Sequence, residues 1–198
     1  ASYSNLENML VHTADCYRKS LWNDLNVNVE IWLEKDALSG VLYQETEAWD
    51  VPLMVTRGYP SLSFLYEAGE HLENSGKPAH IYYFGDYDPS GVDIPRVVEK
   101  RLIEFAPNTD INFEILAVKG EDQIKELNLI TRPTKTADTR AKYFIGESVE
   151  VDAIPSKILR EMAKTVISNH VPAEHLEKIL ETEKLERETL LQIAPYIS

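Results

Sequence analysis

Residues 85–91 read GDYDPSG, so two carboxylates, Asp86 and Asp88, stand one position apart directly after the apolar run IYYF. A third carboxylate, Glu34, follows a second apolar run, VEIWL. Carboxylate oxygens are the preferred ligands of hard cations, and magnesium takes one or two of them together with waters and substrate phosphate oxygens. Three carboxylates brought together without a cation would push at least one pKa up by mutual repulsion, a cost that a divalent ion removes. The trio therefore reads as a site for Mg²⁺ or Mn²⁺, with Glu34, Asp86 and Asp88 as ligands. A plainer reading stands beside it: each acid caps a helix, Asp36 or Glu34 before 37–48 and Asp88 or Ser90 before 92–105.

Other charged residues extend the candidate site. Lys35 and Arg57 are candidates for phosphate contact; Lys35 also reads as a solvated residue at a helix start. Glu150 and Asp152 alternate in VEVDAIP, residues 149–155. On an extended segment they face the same way, which makes them candidates for a second metal position; Asp152 equally fits a helix entry. The stretch 131–144 carries four cations and one anion. Within it Lys135, Arg140 and Lys142 are the candidates for gripping a nucleic-acid backbone, against the alternative of a polar surface loop.

The elements that must position these groups follow from hydrophobic periodicity. A loose helical pattern covers 6–22. Strands are expected at 26–33, 51–56, 79–84 and 111–118. Helices are expected at 36–48, from Pro60 to the Asn74-Ser75-Gly76 stop, and after Gly91 with Pro95 in the first turn. The order β-α-β-α-β-α-β predicts an α/β fold, a four-stranded parallel, Rossmann-like sheet flanked by helices and joined by right-handed crossovers. Ligands of such sheets bind beyond the carboxyl ends of the strands, where Glu34, Arg57 and Asp86 are expected. A short helix is expected around 120–127 in a polar region, and two closing helices start at Pro155 and Pro172. The divisions are a helical segment over 1–25, a core over 26–118, a polar region over 119–153 and a C-terminal helical extension over 154–198.

Composition bounds the function. The chain has 198 residues, 43% of them hydrophobic, enough for one α/β core with a helical appendage. Its one cysteine, Cys16, excludes an intramolecular disulfide and a cysteine zinc site. The five histidines have no metal-ligand spacing. No apolar run approaches the roughly 20 residues that span a bilayer, and residues 1–30 lack the pattern of a secretory leader. A cytoplasmic protein with no membrane partner is expected. The formal net charge of −13 would on average repel a phosphate backbone. Any nucleic-acid function must therefore supply local positive charge or a bound divalent metal.

Three segments, VEIWLEKDAL, MVTRGYPS and YYFGDYDPSGVDI, resemble in order the three motifs of the toprim domain. The likeness is greatest to the catalytic A subunit of topoisomerase VI and its meiotic double-strand-break relative, whose E-K-x-A, T-x-G-x-P and D-x-D-P-x-G motifs match Glu34–Ala37, Thr56–Pro60 and Asp86–Gly91. It covers about residues 27–118, extends more weakly to GESVEVDAIP, and is shared with toprim proteins of plasmids, phages and bacterial defence systems. The resemblance implies Mg²⁺-dependent phosphodiester cleavage of DNA. Glu34 would act as general acid/base, and Asp86 and Asp88 would hold the ion.

One departure is plain. Topoisomerase VI cleaves with a tyrosine on an upstream winged-helix domain, and only 33 residues precede Glu34 here. Tyr17 is the candidate in that stretch besides Tyr3, and the favoured reading of it is a packing residue on the leading helix. Metal-activated water would make the protein a nuclease. An upstream winged-helix domain, for which the opening ASYSN leaves room, or a partner subunit would make it a topoisomerase-like cleavage domain. A homodimer is a further expectation from the resemblance. The alternatives are a non-catalytic toprim module that docks a partner and, less favoured, a D-x-D phosphatase. The phosphatase type carries D-x-D on its first strand and would leave Glu34 without a role.

Overall fold

A computed structural model describes residues 1–133, 144 and 146–197. By contact density the chain divides into two units, 26–170 and a second made of 1–25 with 171–198.

The larger unit is built on four parallel strands, β1 (Asn28–Leu33), β2 (Leu53–Val55), β3 (Ala79–Phe84) and β4 (Ile111–Ala117), in the order β2-β1-β3-β4. β1 lies between β2 and β3, with Leu33 opposite both Val55 and Phe84. Its residues from Val29 to Leu33 are all buried, as a strand covered on both faces requires. The crossovers are α2 (Ser39–Ala48), α3 (Leu62–Ser75) and α4 (Pro89–Phe105). The path from β1 to β2 runs one way along the sheet and the path from β2 to β3 runs the other. Right-handed crossovers therefore put α2 on one face and α3 with α4 on the opposite one. α3 and α4 pack together over Trp32, Ile81 and Tyr83, against which Leu65, Leu72, Ile94, Val98 and Leu102 are buried. On the other face α2 packs against α6 (Ser156–Ser168). A short helix, α5 (Glu121–Glu126), follows β4.

The α/β architecture, the four strands and their parallel direction are as expected from the periodicity. The differences lie at element ends. Residues 36–48 are a 3₁₀ turn, Asp36–Leu38, followed by α2. Pro60 stands outside α3, whose cap is Ser61, its side chain accepting from the Phe64 N–H. Gly76 closes α3 in the left-handed conformation. α4 starts at Pro89, two residues before Gly91, because Asp88 caps it. Pro95 is therefore interior and not in the first turn. The segment 149–155 is not extended throughout: it contains a 3₁₀ turn, Val151–Ala153.

The smaller unit holds α1 (Leu6–Cys16) and α7 (Ala173–Ile193), which pack on each other. The two closing helices thus belong to different units. Among the described residues, no helix is long and apolar enough to cross a membrane.

Candidate functional site

The strand order changes direction between β1 and β3, and in open parallel sheets that switch point, at the carboxyl ends, is where a crevice forms. Glu34 is the first residue beyond β1, and Gly85 and Asp86 the first two beyond β3. The ladder runs past the last strand residues, because the Glu34 N–H donates to the Phe84 carbonyl at 2.8 Å. The Asp86 N–H then donates to Glu34 Oε2 at 3.1 Å. Two acids 52 positions apart in the chain therefore meet at the switch point.

Two glycines allow this approach. A Cβ at Gly85 would lie 2.7 Å from Glu34 Oε2 and 2.5 Å from Tyr83 Cε1. A Cβ at Gly91, in the first turn of α4, would run into the Asp86 carbonyl oxygen.

Asp88 serves the helix. Its Oδ1 accepts from the N–H of Ser90 at 2.9 Å and of Gly91 at 2.7 Å, so it is the N-cap of α4. The capping reading of Asp88 is realised, whereas Glu34 and Asp36 make no side-chain cap.

Lys35 faces inward to carboxylates. Its ammonium lies 3.3 Å from Asp86 Oδ1, 3.0 Å from Glu150 Oε2 and 3.5 Å from Asp152 Oδ1. Glu150 is also held by Arg132 at 2.6 Å. The route by which these late residues arrive was not legible in side-chain chemistry. Tyr87, the middle residue of D-x-D, pairs its backbone with Val149 in an antiparallel bridge, its N–H donating at 2.8 Å and its carbonyl accepting at 2.9 Å. The Val151 N–H then donates to Asp86 Oδ1 at 2.8 Å. Glu150 and Asp152 thus reach the same cation across a 3₁₀ turn, by a different backbone path from the alternation expected of a strand.

The electrostatics single out Glu34. Burial pushes its carboxyl up to about 7; the Asp86 N–H opposes that, and the charges of Asp86 and Asp88 add to it. Asp86 is also raised, first by burial, against the Val151 N–H and Lys35. Glu150 is lowered, chiefly by its hydrogen bond to Lys35. Burial alone would pull the Lys35 ammonium down, but Glu150 and Asp86 outweigh it and the net direction is up. The Tyr83 hydroxyl is fully buried, close to Thr56 and Glu34, and among the described residues it makes no hydrogen bond of good geometry. Burial raises this phenol, and the charge of Glu34 raises it further.

Arg57 is exposed, in the left-handed region at φ 54°, and pairs with Asp36 at 3.3 Å. Lys135, Arg140 and Lys142 lie outside the described residues. Tyr17, in the smaller unit, donates its hydroxyl to Glu186 Oε2 at 2.5 Å, and that bond raises its pKa.

The donor set suits a hard divalent cation in kind, being all carboxylate oxygen, and it already holds one cation, the Lys35 ammonium. In arrangement it is not closed: among the described residues no group of three or more His, Cys, Asp or Glu side chains is placed to hold a metal ion. Asp88 is turned to its helix, and the other acids are spread around an ammonium.

The fold and crevice define an α/β protein with an acidic site at the switch point of a parallel sheet. Compared with family models and with curated proteins, the chain matches none.

Proposed function

We propose that the larger unit is a toprim-type domain that cleaves a phosphodiester of DNA with the help of Mg²⁺ or Mn²⁺. The observation that supports this best is the meeting of Glu34 and Asp86 at the carboxyl ends of adjacent strands, joined by the 3.1 Å bond from the Asp86 N–H. Their order and spacing are those of the resemblance read from the sequence. Asp86 would hold the ion, joined by Asp88, whose Oδ1 caps α4, and by Glu150 and Asp152, which pair with Lys35 here. When bound, the ion supplies neutralisation of phosphate charge and stabilisation of the developing oxyanion.

Glu34 is the proton-transfer group. A carboxyl whose pKa lies near neutrality can both give and take a proton at working pH, and burial brings Glu34 to about 7. Gly85 keeps the backbone clear beside Glu34 Oε2, and Asp86 fixes that oxygen through its N–H.

The nucleophile of this reading is a metal-activated water, which makes the chemistry hydrolysis. The test is nicking of supercoiled plasmid by purified protein with Mg²⁺ or Mn²⁺. Nicking is expected for the wild type and lost in Glu34→Gln with the fold intact. Its survival in Glu34→Gln would remove Glu34 from the chemistry. Its absence under varied metals and substrates would favour a docking module.

A further inference from the structure

We propose that Lys35 is a built-in counter-cation, so that a divalent ion enters this site only by displacing the Lys35 ammonium from Asp86, Glu150 and Asp152. The inference rests on the reading of the crevice as a divalent-cation site.

Three observations carry it. First, the ammonium pairs with three acids, Asp86 after β3 at 3.3 Å and, from the segment 149–155, Glu150 at 3.0 Å and Asp152 at 3.5 Å. Magnesium draws oxygens to about 2.1 Å, so each acid would have to close by roughly 1 Å on an ion. An ammonium already paired with all three blocks that contraction.

Second, Lys35 is placed by the backbone. It follows Glu34 in an extended conformation, φ −98° and ψ 114°, immediately before the Asp36–Leu38 turn. The side chain that neutralises the site is thus anchored next to the acid proposed to transfer the proton.

Third, the innermost pair is partly shielded from water, the Asp86 side chain being 14% exposed and that of Lys35 24%, while Glu150 and Asp152 stand at the more open side with 43% and 48%. Like charges at such range beside the part-buried Asp86 repel each other, which makes joint occupancy by the ammonium and a divalent ion unfavourable. The arrangement therefore has two states. In one the lysine is in and the acids are spread around it. In the other the ion is in and the ammonium is free to meet an anionic phosphate in the crevice.

Direct Mn²⁺ binding, read by the electron paramagnetic resonance of free Mn²⁺, tests this without any activity assay. Lys35→Met removes the charge and keeps an unbranched side chain, and it is expected to bind Mn²⁺ about tenfold or more tightly than the wild type. Lys35→Arg keeps the charge and is expected to show none of that gain. Equal or weaker binding by Lys35→Met, with the wild type binding, overturns the displacement model and leaves the cation site standing. Failure of wild type and variants alike to bind Mn²⁺ overturns the cation-site reading, and this inference with it.

A second measurement needs no variant. Reductive methylation of the wild-type chain, read by mass spectrometry, is expected to label Lys35 faster in Mn²⁺ than in chelator, with the surface lysines Lys125 and Lys184 as internal references. An unchanged relative rate at Lys35 in a protein that binds Mn²⁺ overturns the proposal.

Discussion

Replacing Glu34 by glutamine has a consequence for stability whose sign and size follow from the crevice. The carboxyl is raised from 4.5 to about 7 in the folded chain, first by burial. A raised carboxylic pKa means that the native state keeps its proton where the unfolded chain has lost it. Between pH 4.5 and about 7 the native state therefore binds more protons, and stability falls as pH rises through that window. Above it the full penalty of a buried negative charge remains. The gap corresponds to about 3 kcal/mol, discounted to roughly 2–3 kcal/mol because water still reaches part of the group. Glutamine is uncharged at all these pH values and can still accept from the Asp86 N–H. In chelator at pH 8, Glu34→Gln should be more stable than the wild type by that amount, raising the midpoint of thermal unfolding by roughly 4–12 °C for a chain of this size. At pH 4.5 the two should melt together. Thermal melts of both proteins at the two pH values decide the matter. Equal midpoints at pH 8, or a variant less stable there, would refute the claim that burial dominates at Glu34.

At position 88 the helix and the metal make separable demands. Asp88→Ala should cost about 1 kcal/mol by loss of the α4 cap, whereas Asp88→Asn should retain that stability and still lose nicking. An asparagine variant that nicks at the wild-type rate would confine Asp88 to capping. Gly91→Ala puts a methyl group into the Asp86 carbonyl oxygen and should destabilise by about 3 kcal/mol while displacing Asp86. Chemical denaturation measures the first effect, and a native stability would show that the turn can open cheaply.

Much of the fold was written in local patterns. The run AHIYYF is β3 residue for residue, because a buried strand bounded by a glycine stop and a polar turn leaves little latitude. Glu34 and Asp86 were legible for the same reason: both stand at the ends of apolar strands, and strand order brings such ends together. The role of Asp88 was open, because capping and ligation demand the same residue type. The start of α4 was missed by three residues, since Pro95 offered a second plausible first turn and Asp88 had already claimed the first. Three further features had no signal in residue types. The Tyr87–Val149 bridge is made by backbone atoms, the inward turn of Lys35 depends on residues 115 and more positions away, and Tyr83 looked like one more core aromatic.

The backbone bridge at Tyr87 fastens residues 149–152 to the aspartate loop in the manner of a buckle. Opening it would release the Val151 N–H from Asp86 and draw Glu150 and Asp152 away from Lys35 in one movement. The late acids are therefore gained or lost as a set. Any side chain would serve at position 87 for this purpose, and only proline, which has no N–H to fasten, would leave the strap undone.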